Sequence, residues 1–180
     1  ARQLTHNTVP EATYCCGGSG ARLSPDNSQV VFMAKANQEF EYYYTNSLFL
    51  VSAAGGLPRM LLPDLPYEVR QVHWSSDGKS LFFVAGMGGH SELFELELAS
   101  NTLQQLTDGK HSIRSWSLQP SANRHVLAFA ERTNAGDVWL LSVDGDGPAS
   151  QVTHVFDYLD REFDLPVQER VQWKGADGVT

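Results

Sequence analysis

The chain has 180 residues, 42% of them hydrophobic and 19% charged, and carries a formal net charge of −8. That balance suits a folded domain with a core of its own, and the lack of a Lys/Arg run removes the phosphate-binding surface that a nucleic-acid partner requires. No stretch approaches the roughly 18 consecutive apolar residues of a bilayer span, and the two cysteines, Cys15 and Cys16, are neighbours, which suits free thiols and neither a disulfide framework nor a four-ligand zinc site.

The chain opens on Ala1-Arg2-Gln3-Leu4-Thr5, with no signal peptide, and reads as the interior of a longer protein, so no compartment follows from it. Residues 1–5 are expected to be the last strand of a preceding unit. Gly17-Gly18-Ser19-Gly20-Ala21 comes next. It lacks the final glycine of a nucleophile elbow, and a strand-like run follows it where a helix is needed, so it is expected to be a loop. It also lacks the Lys-Ser/Thr and helix of a phosphate loop.

From residue 6 the sequence repeats. Gln3-Leu4-Thr5 returns as Arg59-Met60-Leu61 in weaker form, then as Gln105-Leu106-Thr107 and Gln151-Val152-Thr153, at steps of 56, 46 and 46 residues. Leu48-Phe49-Leu50-Val51, Leu93-Phe94-Glu95-Leu96 and Val138-Trp139-Leu140-Leu141 keep the same time, 45 and 45 residues apart. A third marker opens each unit: Leu23-Ser24-Pro25-Asp26-Asn27, Trp74-Ser75-Ser76-Asp77-Gly78 and Trp116-Ser117-Leu118-Gln119-Pro120. The units are expected at 6–62, 63–107 and 108–153.

The middle unit predicts four strands: Val69–Trp74, Leu81–Ala85, Leu93–Leu98 and Leu103–Thr107. Leu96 and Leu98 alternate with Glu95 and Glu97, as in a strand with one wet face. Asp77-Gly78 supplies positive-φ residues for the first hairpin, and Ala54-Gly55-Gly56 and Asp144-Gly145-Asp146-Gly147 do so before the fourth strand of their units. The last of these lacks the further oxygen ligands and closing Glu of a calcium loop and reads as a turn. None of the six histidines has a metal-ligand spacing, and no metal or cofactor is expected. Gly89-His90-Ser91 reads as an inter-strand loop. Trp74 and Trp116 occupy equivalent positions and are expected to pack between units.

Four antiparallel strands per unit, at a period in the mid-forties, is the pattern of a β-propeller blade. The expected fold is therefore all-β: about three four-stranded antiparallel blades of a propeller, with a stray strand at each end. A ring usually needs about 4–8 blades. Three leave two open faces, to be covered by missing blades or by self-association.

The run W-S-x-D-G-K-x-L-x-F-V at residues 74–84, with L-F-x-L at 93–96 and Q-L-T at 105–107, resembles the TolB-type propeller repeat. TolB-like proteins share that repeat with the propeller of the prolyl oligopeptidase family of serine peptidases. The likeness covers residues 1 to about 153. Residues 154–180 are expected to be a linker and a strand leaving the last blade. Val171, Trp173 and Asp177-Gly178 are similar to the crossover through which that family enters its α/β-hydrolase domain.

The resemblance implies a non-catalytic propeller that restricts peptide access to a hydrolase following Thr180, with the Ser/Asp/His triad outside this chain. The alternative is a TolB-like propeller that binds proteins and does no chemistry. The insertion Gln38–Asn46 carries Glu39 and Glu41 among four aromatic residues. In the dipeptidyl peptidases of the broad family, propeller glutamates hold the substrate's N-terminal amine. That makes Glu39 and Glu41 the candidate substrate-binding residues, although they are not adjacent as the family's pair is.

Overall fold

The structure is a computed structural model that describes residues 20–35, 46–119, 121, 124–131, 134–144, 147–166, 169 and 171–176. Three four-stranded antiparallel sheets follow one another along the chain. The first is β1 (Arg22–Leu23), β2 (Gln29–Lys35), β3 (Asn46–Ser52) and β4 (Arg59–Leu61). The second is β5 (Glu68–Trp74), β6 (Ser80–Gly86), β7 (Ser91–Glu97) and β8 (Thr102–Gln105). The third is β9 (Ser112–Gln119), β10 (Arg124–Glu131), β11 (Asn134–Ser142) and β12 (Ser150–Gln151). In each sheet the strands lie in chain order, each pairing with the next.

The four strands expected in the middle unit are all present, with ends shifted by at most a few residues. The Asp-Gly turn spans five residues, 75–79, between β5 and β6. Gly78 has φ +73°, and Asn27, its counterpart in the first sheet, has φ +60°. Both turns close alike. Ser75 Oγ donates to Asp77 (2.7 Å) and accepts from Ser80 N (2.9 Å), while Ser24 Oγ donates to Asp26 (2.6 Å) and accepts from Gln29 N (2.9 Å). The serine and aspartate of the third marker are thus side-chain substitutes for backbone turn bonds.

Period-two alternation sends successive side chains to opposite faces, and the second sheet uses both. Leu81, Phe83 and Ala85 pack against Val31, Leu48, Leu50 and Leu61 of the first sheet. Phe82, Val84 and Leu93 pack against Trp116, Leu118, Leu127 and Phe129 of the third. The unbroken apolar run of β6 is therefore a strand with no wet face. Trp74 and Trp116 are both buried, one in each seam, as expected. Trp74 Nε1 also donates to the Arg22 carbonyl (3.0 Å), tying the second sheet to β1, the edge strand of the first.

After β12 comes a single helical turn, α1 (Leu159–Glu162). Residues 171–175 form no strand, and Val171 and Trp173 are exposed. A strand needs a hydrogen-bonded neighbour, and no described segment pairs with these residues. Residues 1–5, 36–45 and 177–180 lie outside the described part.

Candidate functional site

Glu39 and Glu41 lie outside the described residues, as do Cys15, Cys16 and Gly17–Ser19. Of the other serine considered, Ser91 starts β7 and is buried, and its Oγ accepts from Ile113 N (2.7 Å). It has neither access nor a base. Among the described residues, no group of three or more His, Cys, Asp or Glu side chains is placed to hold a metal ion.

The most polar buried cluster gathers around Glu92, which has no exposed surface. Thr107 Oγ1 donates to Glu92 Oε2 (2.6 Å) and accepts from Leu93 N (2.9 Å), and Gly109 N donates to Glu92 Oε1 (3.2 Å). His111 Nε2 lies 3.1 Å from Glu92 Oε2, but its direction makes no hydrogen bond, and the ring instead stacks on Phe129 with centroids 4.1 Å apart. Here the carboxylate stands between hydroxyl and imidazole. A catalytic triad needs the imidazole between the other two, so Thr107 has no base and the cluster is a lock.

The third sheet repeats the lock. Thr153 Oγ1 donates to Asp137 Oδ1 (2.6 Å) and accepts from Val138 N (2.9 Å). Gln105 and Gln151 donate in parallel to the carbonyls of Thr107 (2.7 Å) and Thr153 (2.8 Å). Burial pushes the Asp137 carboxyl up, but hydrogen bonds from Thr153, Val155 and Asn134 outweigh it and hold the group below the usual carboxylate range. The Gln-Leu-Thr marker is thus the fourth strand's fastening to the third. Sequence reasoning used the marker and missed its partners, although Glu92 and Asp137 each stand directly before the Leu-Phe or Val-Trp marker. In the first sheet Met60 stands opposite Phe49 as Gln105 stands opposite Phe94, one residue on from the sequence alignment, so the equivalent positions are Ser47 and Leu62, and the lock is replaced by apolar packing around Leu61, Leu62 and Leu65.

A cleft of about 260 Å³ opens between the second and third sheets. Phe82, Leu118 and Val143 supply its apolar lining, and Asp77, Glu95 and Asp144 make it acidic. The Asp77 carboxyl is held below its ordinary range by the Lys79 backbone N–H and then by Ser75.

These sheets can be set beside known proteins. No family model matches the chain. TolB from Acinetobacter baumannii superposes with a TM-score of 0.58 at 16% identity, over 75% of this chain and 32% of that one. The acylaminoacyl peptidase of Pyrococcus horikoshii gives 0.58 at 16% identity, over 77% and 20%. The β-propeller domain of the Trilobed protease from Pyrococcus furiosus gives 0.56 at 18% identity, over 73% and 37%. The three sheets are blades of a β-propeller. A curated relative, dipeptidyl-peptidase 5 of Porphyromonas gingivalis, is 25% identical over 113 residues, 61% of this chain. The chain spans only 16% of that relative's length and 20–37% of the solved structures named here. The fold is thus shared by TolB and by peptidase propellers, with the third and fourth strands of the second and third blades fastened by the Thr–carboxylate locks. Among the described residues no helix is long and apolar enough to cross a membrane.

Proposed function

We propose that this chain is the non-catalytic propeller portion of a prolyl oligopeptidase-like serine peptidase, where it gates peptide access to a hydrolase domain that follows Thr180. The observation that carries the reading is the stretch of sequence similarity to dipeptidyl-peptidase 5, which joins a fold shared with the acylaminoacyl peptidase propeller. The blades are assigned to 6–62, 63–107 and 108–153, with 154–180 leading away from the last.

The faces of the outer blades support a larger ring. Cross-strand partners Phe32 and Phe49 stack with centroids 5.5 Å apart on the face of the first sheet opposite the Val31–Leu50 core face. Val126 and Leu140, paired in register, lie on the face of the third sheet opposite the buried Leu127 and Leu141. Leu23, at the position Trp74 fills in the next blade, is 51% exposed. Such surfaces suit further blades, since an open propeller face is apolar. Glu39 and Glu41 are proposed to meet the substrate's amino terminus through charge-assisted hydrogen bonds.

A second reading, a TolB-like binding propeller without catalysis, draws on the equal likeness to TolB. The two separate in the full-length gene product. A fluorophosphonate probe for activated serines labels it on the peptidase reading, and replacing Glu39 and Glu41 by Gln raises KM for peptides with a free amino terminus. A full-length product that takes no label and cleaves no short peptide supports the binding propeller.

A further inference from the structure

We propose that the seam between the second and third blades is an acid-operated joint, in which protons taken up by His125 and His73, both in contact with Trp116, loosen the third blade from the second. The geometry is specific to this seam. His125, on β10, has no exposed surface. Its Nδ1 accepts from Trp116 Nε1 (3.2 Å), so the ring proton sits on Nε2, which is buried without a partner. Phe82 of the second blade meets the His125 ring edge-on, centroids 4.7 Å apart. His73, on β5, meets Trp116 edge-on, centroids 4.8 Å apart. Two imidazoles from neighbouring blades thus contact one indole of the apolar cluster.

Protonation breaks this arrangement in two ways. A proton on His125 Nδ1 removes the acceptor that the Trp116 N–H has among the described residues. It also places a cation against Phe82, with no hydrogen-bond partner for Nε2 among the described residues. The groups nearest the two imidazoles do not offset this, while His111 and Glu92, 3.1 Å apart across the same seam beside Phe129, are a pair that protonation of His111 would tighten. Arg22 opposes a charge on His73, and His73 opposes a charge on His125. On β6 the facing groups are apolar, Phe82 and Val84. Arg114 of β9 and Arg124 of β10 are exposed cations, while Asp137 of β11 is engaged by Thr153, Val155 and Asn134. The carboxylates Asp77, Glu95 and Asp144 line the cleft beyond Phe82 and Leu118, with no bond to either imidazole. Burial first, and His73 second, depress His125 to about 4, and burial then Arg22 depress His73. An imidazole released to water returns to its ordinary value near 6.5. The open joint therefore gains protons that the closed joint refuses as pH falls below about 6.5.

Hydrogen–deuterium exchange of the 180-residue chain at pH 7 and pH 5, corrected for intrinsic exchange, tests the proposal. The opening constant of β9, β10 and β11 is expected to rise on the order of tenfold at the lower pH, while β2 and β3 change little. His125→Phe is expected to remove most of the rise, and His125→Phe with His73→Phe all of it. Should these variants not fold, the imidazole titration of the unaltered chain by NMR decides, with His125 expected to stay neutral at pH 5. An ordinary histidine titration, an equal rise across all three sheets, or no rise at all overturns the proposal.

Discussion

Replacing Thr107 with valine keeps the side chain's shape and removes only its oxygen. In the structure that oxygen is the acceptor for Leu93 N and a donor to Glu92, both within a buried lock. Valine leaves the Leu93 N–H without a partner, at about 1–3 kcal/mol, and takes a bond of about 1 kcal/mol or more from a buried carboxyl. The expected loss is about 3 kcal/mol, a large part of the ~5–15 kcal/mol stability of a typical domain. Urea unfolding followed by circular dichroism measures it as a lower midpoint at unchanged slope. Thr153→Val removes the same pair of bonds at a position closer to solvent, where water replaces them, and is expected to lose less. A Thr107→Val midpoint within error of the parent would refute the lock, and so would Thr153→Val proving the more damaging of the two.

Gly109 is predicted to tolerate no side chain: a Cβ there would run into the His111 ring, so Gly109→Ala should displace the ring from Phe129 and lower the thermal midpoint by several degrees. Trp74→Phe loses both the bond to the Arg22 carbonyl and part of the buried indole, for about 2–3 kcal/mol, with faster amide exchange in β1 and β2 as the readout. Acidification from pH 7 toward 4 should destabilise the chain progressively. His125 is held neutral in the folded state and takes up a proton near 6.5 in the unfolded one, so stability present above about pH 6.5 is lost as pH falls toward about 4. A flat unfolding midpoint across that range would contradict the burial of His125.

Much of the fold was legible because the repeat carries its own physics. Asp77-Gly78 and Asp26-Asn27 mark turns, and Trp74 and Trp116 mark seams. The all-apolar β6 was legible as a strand, but nothing in one sequence shows that both its faces meet neighbouring blades. The locks were half legible. Threonine repeats visibly in the second and third blades, whereas its partner is Glu92 in one and Asp137 in the other, so residue type alone hides the shared position. The expected strand at Val171–Trp173 had the right alternation, but alternation supplies no hydrogen-bonding neighbour. Function was the least legible, because the same repeats serve proteins with and without a hydrolase.

The coding sequence beyond Thr180, expressed as the full-length protein and treated with a fluorophosphonate probe, tests the peptidase reading most directly. The reading predicts an open frame with a G-x-S-x-G elbow, followed by an Asp and a His, and a single labelled serine in that elbow. A stop codon soon after Thr180, or a full-length protein that takes no label, would contradict it and leave a binding propeller.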